Sequence, residues 1–142
     1  MNLSPAIKLI KEFEGCSLVA YQDGAGRWTI GYGRARNVKP GDSCSSELAE
    51  EWLFEDIDAV LDQVSSLINE ILTDNQYCAL VSFVYNIGIG RFKSSTLLRN
   101  INLGKLEEAS ENFLDWDHVA GKPCEGLMRR REAERELFLS DN

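Results

Sequence analysis

Between Lys39 and Arg91 the sequence contains no lysine, arginine or histidine, while Asp42, Glu47, Glu50, Glu51, Glu55, Asp56, Asp58, Asp62, Glu70 and Asp74 all fall there. The chain as a whole carries a net charge of −8. Such a balance speaks against a nucleic-acid binder and fits a solvated helix face that keeps the protein soluble. Histidine is nearly absent, with His118 alone, and Cys16, Cys44, Cys78 and Cys124 show no paired spacing. A zinc site therefore lacks its ligands, and no metal or other cofactor is implied. Cys124 with His118 could in principle form a nucleophile–base pair, but nothing around them resembles a thiol-enzyme signature. No apolar run approaches the roughly eighteen residues of a membrane span. The N-terminus lacks the basic and apolar regions of a signal peptide, so synthesis as a soluble cytoplasmic protein is expected. There is no internal repeat, low-complexity tract or flexible linker. At 142 residues and 44 % hydrophobic content, the chain should form one compact unit with a proper core.

The informative segment is the first quarter of the chain. Ser4 can cap a helix, Pro5 suits its first position, and Ala6, Leu9, Ile10 and Phe13 keep to one face. Gly15 reads as the stop. Glu14 then lies at a helix C-terminus, where the negative end of the macrodipole disfavours an ionised carboxylate by roughly 0.3–1 kcal/mol. Its pKa is expected to rise, which suits a general acid. Leu18 to Gln22 and Arg27 to Tyr32 read as two strands joined by Asp23-Gly24-Ala25-Gly26, an Asp-Gly hairpin turn. Asp23 would sit wet and ionised on the hairpin lip. An acid on a helix end facing a carboxylate on a lip is the pairing that glycoside hydrolysis requires, one group protonating the leaving oxygen and the other serving as base or nucleophile. Thr29 offers a hydroxyl to orient a water, and Gly31 and Gly33 would keep the strand slim enough for a bulky polymer to pass.

Further along, Leu48, Ala49, Trp52, Leu53, Ile57, Val60, Leu61, Val64, Leu67 and Ile68 recur every three or four residues and predict one long amphipathic helix over about 46–69. Thr73 with Gln76 is a capping-box signature ahead of Tyr77, Leu80, Val81 and Val84. Helices are also predicted over 94–103, 106–116 and 127–139, separated by Gly104 and by Gly121-Lys-Pro123. The fold class is α+β and predominantly helical. A hairpin-containing N-terminal lobe (about 1–45) would be joined by the long helix to a helical C-terminal lobe (about 70–142). The run Arg129-Arg130-Arg131 could be read as a nucleic-acid patch, but consecutive helical residues diverge, and Glu132, Glu134 and Glu136 point to a salt-bridged helix.

The ordered string Glu14-Gly15, Ala20-Tyr21-x-Asp23, Gly26, Thr29-Ile-Gly-Tyr-Gly33 resembles the catalytic signature of phage-type lysozymes, the endolysins of glycoside hydrolase family 24. The resemblance continues through Val38-Lys-Pro-Gly-Asp42, through Leu80 to Gly88 with Phe92 and Ser94 to Arg99, and through Trp116, Ala120-Gly-Lys122 and Gly126 to Arg135. It implies a lysozyme-like fold and a muramidase that hydrolyses the β-1,4 bond between N-acetylmuramic acid and N-acetylglucosamine in peptidoglycan. Carried over by position, Glu14 is the general acid, Asp23 the second carboxylate and Thr29 the third member that holds the nucleophilic water. An inverting course would need about 6.5–9.5 Å between the carboxyl groups. Tyr85, Asn86 and Ser95 fall where side chains contact the sugars, although Tyr85 could equally be core, Asn86 a helix-end cap and Ser95 an N-cap. Arg130 is expected to reach back to Glu14. The implied partners are glycan strands and a holin that opens the membrane, with action in the periplasm by a monomer and no stable membrane insertion.

Two features depart from the family pattern. Many wall-degrading lysozymes are basic, so the acidic charge here is expected to weaken long-range attraction to anionic wall polymers. Many relatives carry His after the Gly-x-Gly, where this chain has Arg34, which stays charged. Cys16, two residues after Glu14, could pair in an oxidising compartment and so regulate the site. Two rival functions stand beside the hydrolase: a lytic transglycosylase, against which Asp23 with Thr29 argues, and a non-enzymatic glycan-binding protein on the same scaffold.

Overall fold

The computed structural model describes residues 1–141. Helix α1 (Ser4–Glu14) leads into an antiparallel hairpin of β1 (Ser17–Gln22) and β2 (Trp28–Gly31). Helix α2 (Ser46–Leu67) follows, then α3 (Asp74–Ile87), α4 (Ile89–Lys93), α5 (Thr96–Asn102), α6 (Leu106–Asn112), a 3-10 turn over Phe113–Asp115, a small hairpin of β3 (His118–Val119) and β4 (Lys122–Pro123), and α7 (Glu125–Leu139).

Helix α3 is the centre. Every residue from Cys78 to Val84 is buried, because that stretch is apolar or small on all sides and can be enclosed on both faces. One side of α3 meets Ala6 and Ile10 of α1 and Leu53 and Ile57 of α2. The other builds a larger core in which the Phe83 ring packs edge-on against Phe92, Phe113 and Trp116, with centroids 6.3, 5.3 and 5.8 Å away. Phe138 of α7 closes that core beside Phe113.

The long helix runs from Ser46, capped by Ser45, to Leu67. Its end is held by Asn102, which donates to Leu67 O and accepts from the Asn69 amide. Its carboxylates are not all left to solvent. Glu50 pairs with Lys11 at 2.5 Å, Asp56 with Arg36 at 3.4 Å and Glu55 with Arg34 at 3.7 Å, while the Arg34 guanidinium lies 4.8 Å over the Trp52 ring. The acids of α2 thus dock the chain on either side of the hairpin.

Several local expectations change. Ser4 is the first residue of α1, not its cap. Asn2 Oδ1 accepts the Ser4 amide at 3.0 Å, the short reach of an Asx turn. Ser43 bridges Val19, with backbone hydrogen bonds from Ala20 N to Asp42 O and from Cys44 N to Leu18 O, so the segment after the hairpin lies along the outer edge of β1. The 106–116 helix ends at Asn112 and tightens into the 3-10 turn, and Gly121-Lys-Pro123 belongs to a small hairpin. Cys16 is exposed, whereas Cys78 is buried and donates to Asn2 O.

The capping box of α3 is present in both halves, Thr73 Oγ1 accepting from Gln76 N and Gln76 Oε1 from Thr73 N. Since this cap starts the central helix, Thr73→Ala is expected to cost about 1 kcal/mol of stability in urea denaturation.

Candidate active site

Glu14 ends α1 because Gly15 takes φ 66°, a conformation that stops the helix. Its side chain is 20 % exposed, and Oε2 accepts from Arg130 Nη1 at 2.7 Å. The expected reach of Arg130 to Glu14 is therefore present in the structure. The carboxylate lies between two opposed influences, the negative end of α1 and a guanidinium. Its other oxygen, Oε1, abuts Gly33: a Cβ built there would sit 2.6 Å from Oε1 and 3.1 Å from Cδ. Gly33 therefore makes room for the carboxylate, not for a passing polymer. Gly31 similarly faces Ala49 and Trp52 of α2, so its smallness lets β2 approach that helix.

Asp23 starts the hairpin turn. Its Oδ1 accepts from the amides of Ala25 and Arg27, both at 2.9 Å, and its Oδ2 from Arg27 Nε at 3.1 Å. The Arg27 amide first, then the Ala25 amide and the Arg27 guanidinium, hold the carboxyl below the usual carboxylate range against some desolvation. Asp23 is ionised, as expected for the lip of the loop. Thr29 is buried on β2 opposite Tyr21, and its hydroxyl donates to Arg27 O at 3.0 Å. With its proton committed, that oxygen can still accept. Arg27 thus holds both partners, a role not foreseen from the sequence. The Asx-turn habit of Asp-Gly was the signal that Asp23 would recruit amides two and four residues on. Partial burial pushes the Tyr21 phenol up, and the charges of Glu14 and Asp23 add to it, so Tyr21 lies within the field of both carboxylates.

Beside Glu14 opens a cavity of about 510 Å³, lined by Glu12, Phe13, Asn86, Cys124, Gly126, Leu127, Arg129 and Arg130. The structure brings Glu14, Asn86 and Arg130 to this one wall. Tyr85 is adjacent in sequence but otherwise engaged: its hydroxyl donates to Tyr32 O at 2.6 Å, tying the end of the hairpin to α3. Burial first, then the charges of Asp56 and Glu14, push that phenol up. Ser95 is not in the cavity. It caps α5, accepting from Leu98 N at 3.1 Å and donating to Phe92 O at 2.7 Å, so its sugar-contact expectation is corrected to the N-cap alternative.

Behind the wall lies a cluster of buried charge. Glu134 is fully buried: Oε2 accepts from Ser82 Oγ at 2.6 Å and Arg130 Nε at 3.2 Å, and Oε1 from Arg131 Nη1. Burial pushes this carboxyl up and lowers Arg131, while the pairing opposes both. Three converging donors suit the carboxylate form. The salt-bridged helix expected from the sequence exists, but its strongest pairs face inward. Arg131 and Glu134 were missed as site-supporting residues, although they fall on the same helical stripe as Leu127 and Phe138.

The Gly33 contact is testable. Gly33→Ala is expected to reduce activity by roughly a hundredfold through displacement of Glu14. Gly41→Ala serves as a control, because Gly41 has a similar φ of 87° but nothing within 4 Å of a built Cβ. It should lose stability without a matching loss of turnover, as read by wall-lysis assays beside thermal melts.

Residues 11–134 match the family model described as phage lysozyme. The endolysin of Acyrthosiphon pisum secondary endosymbiont phage 1 is 47 % identical over 136 residues, 93 % of each chain. The endolysin of Salmonella phage P22 is 42 % identical over 142 residues, 96 % of this chain and 97 % of that one. Among solved structures, the muramidase domain of SpmX from Asticaccaulis excentricus superposes with a TM-score of 0.89 at 37 % identity, covering 97 % of both chains. With the fold and nearly the whole length in common, the chain belongs to the phage lysozyme family.

Proposed function

We propose that Glu14 is the general acid of this lysozyme, that Asp23 is its second carboxylate, and that Thr29 helps place the attacking water. The protein is an endolysin-type muramidase acting on peptidoglycan, a glycoside hydrolase for host cell lysis. The observation that carries the assignment of the acid is the division of labour in Glu14. Oε2 is held by Arg130, while Oε1 faces Gly33 and has no hydrogen-bond partner among the described residues. Oε1 is thus the oxygen able to give a proton to the glycosidic oxygen, and Arg130 steadies the acid. Asp23, ionised and held by the amides of its own turn, polarises a water. Thr29 accepts a hydrogen bond from that water, since its own proton points at Arg27 O.

The glycan strand would lie between a lobe of about residues 1–45 and one of about 70–142, bridged by the 46–69 helix, with Asn86 and the backbone around Tyr85 contributing to binding. Among the described residues no helix is long and apolar enough to cross a membrane. Passage from the cytoplasm to the periplasmic wall is proposed to rely on a holin, with the enzyme acting as a monomer.

Muropeptide analysis by mass spectrometry tests the chemistry. Wild-type protein is expected to release reducing N-acetylmuramic acid ends from purified peptidoglycan, and Glu14→Gln to lose at least about 100-fold in rate. Anhydro ends would make the enzyme a transglycosylase and leave Asp23 without its role. Binding without products would place the chain with the non-enzymatic glycan binders.

A further inference from the structure

Arg131 is fully buried and has no freedom to turn. Its Nε donates to Trp116 O at 3.0 Å, its Nη1 to Glu134 Oε1 and its Nη2 to Asn86 Oδ1. The guanidinium also lies 4.9 Å over the Phe83 ring. Glu134 is itself pinned, its second oxygen taken by Ser82 and Arg130. A guanidinium carries donors only, so the limb of the Asn86 amide that faces it must be the carbonyl. The other limb, Nδ2, has no hydrogen-bond partner among the described residues, and half-buried Asn86 lines the cavity beside Glu14.

We propose that Arg131 is a positioning residue that locks Asn86 as a one-way donor into the cleft, so that this wall selects an amide carbonyl oxygen of the substrate. The inference rests on the cleft being the glycan site and adds the polarity of one contact within it. The charged lining of the cavity is balanced, Glu12 and Glu14 against Arg129 and Arg130, so the polarity of the contact at Asn86 is set by its donor and not by a net field. Peptidoglycan offers amide carbonyl oxygens in two places, the acetamido groups of the sugars and the amides of the stem peptides. An asparagine free to flip would accept or donate equally well and discriminate little. One held by a buried arginine cannot flip without setting its own NH2 against the Arg131 Nη2 donor and leaving that N–H unsatisfied, a costly alternative.

Asn86→Asp separates this role from a structural one. It preserves size and gives Arg131 an ionised partner, but it turns the cleft-facing donor into an acceptor. The melting temperature is expected to stay level or rise, while KM for solubilised peptidoglycan strands increases roughly tenfold and kcat falls much less. The pair is then compared on strands whose stem peptides have been removed by an amidase. A KM ratio that persists assigns the carbonyl to an acetamido group, and a ratio near one on stripped strands alone assigns it to the peptide. Equal KM for wild type and variant on both substrates overturns the proposal. A second readout does not need turnover: in Glu14→Gln protein, the Asn86 side-chain amide resonances are followed by NMR while intact or stripped strands are added. Their movement on saturation supports the donor contact, and unmoved resonances in a protein that binds the strands refute it. Because the resonances report binding alone, they decide the contact even if the released ends show that the protein is not a muramidase.

Discussion

The structure depends on one buried carboxylate. Glu134 lies beneath the cleft with both oxygens engaged, holding Arg130 on one side and Arg131 on the other. Each arginine then reaches outward to a different group of the cleft wall, Arg130 to Glu14 and Arg131 to Asn86. Charges this deep are expensive to desolvate and stay favourable only while every partner is present, because removing one strands the others at a cost of about 3–5 kcal/mol. The arrangement therefore adds little net stability for its expense, and what it supplies is fixed geometry. A cleft wall built on flexible surface side chains would leave the acid free to rotate, whereas here its orientation comes from the core.

The central helix makes that possible. With α3 enclosed on both sides, Ser82 can be fully buried and still offer its hydroxyl and its carbonyl to the charge cluster, to Glu134 and Arg130 respectively. The aromatic core around Phe83 supports the same cluster from below, the ring edges meeting Phe92, Phe113 and Trp116 while its face carries Arg131. Packing and electrostatics thus converge on one short stretch of one helix, whose last turn carries Asn86 into the cavity beside Glu14.

Much of this was legible in the sequence. Periodicity placed the long helix to within two residues of its observed C-terminal end, and the Thr73–Gln76 box was visible as a pattern of residue types because capping is local chemistry. The same holds for Gly15 as a stop and for the Asp23 turn. What was not legible depends on distance along the chain. Arg131 and Glu134 share a stripe with Leu127 and Phe138, but charged residues ordinarily mark the wet side, and only the contacts with Ser82 and Trp116 reverse that. Ser95 illustrates the opposite failure: its place in a family pattern suggested sugar contact, while its local role as a cap was the one realised. Gly31 and Gly33 were recognised as special, but their reason, close approach to α2 and to Glu14, exists only once the chain has folded.

Arg27 gives the hairpin a property of its own. Its amide and guanidinium hold Asp23, and its carbonyl holds Thr29. Both groups are therefore referenced to one residue of the hairpin. A tilt of the hairpin to admit or release a strand would carry Asp23 and Thr29 together, and the water cradle proposed for them would keep its shape. The variable would be the gap between that proposed cradle and Glu14, which is anchored to the helical core through Arg130. On the roles proposed for Asp23 and Thr29, opening of the cleft and disassembly of the water site would be separate motions, and the enzyme would gape for a cross-linked polymer without having to rebuild that site at each closure.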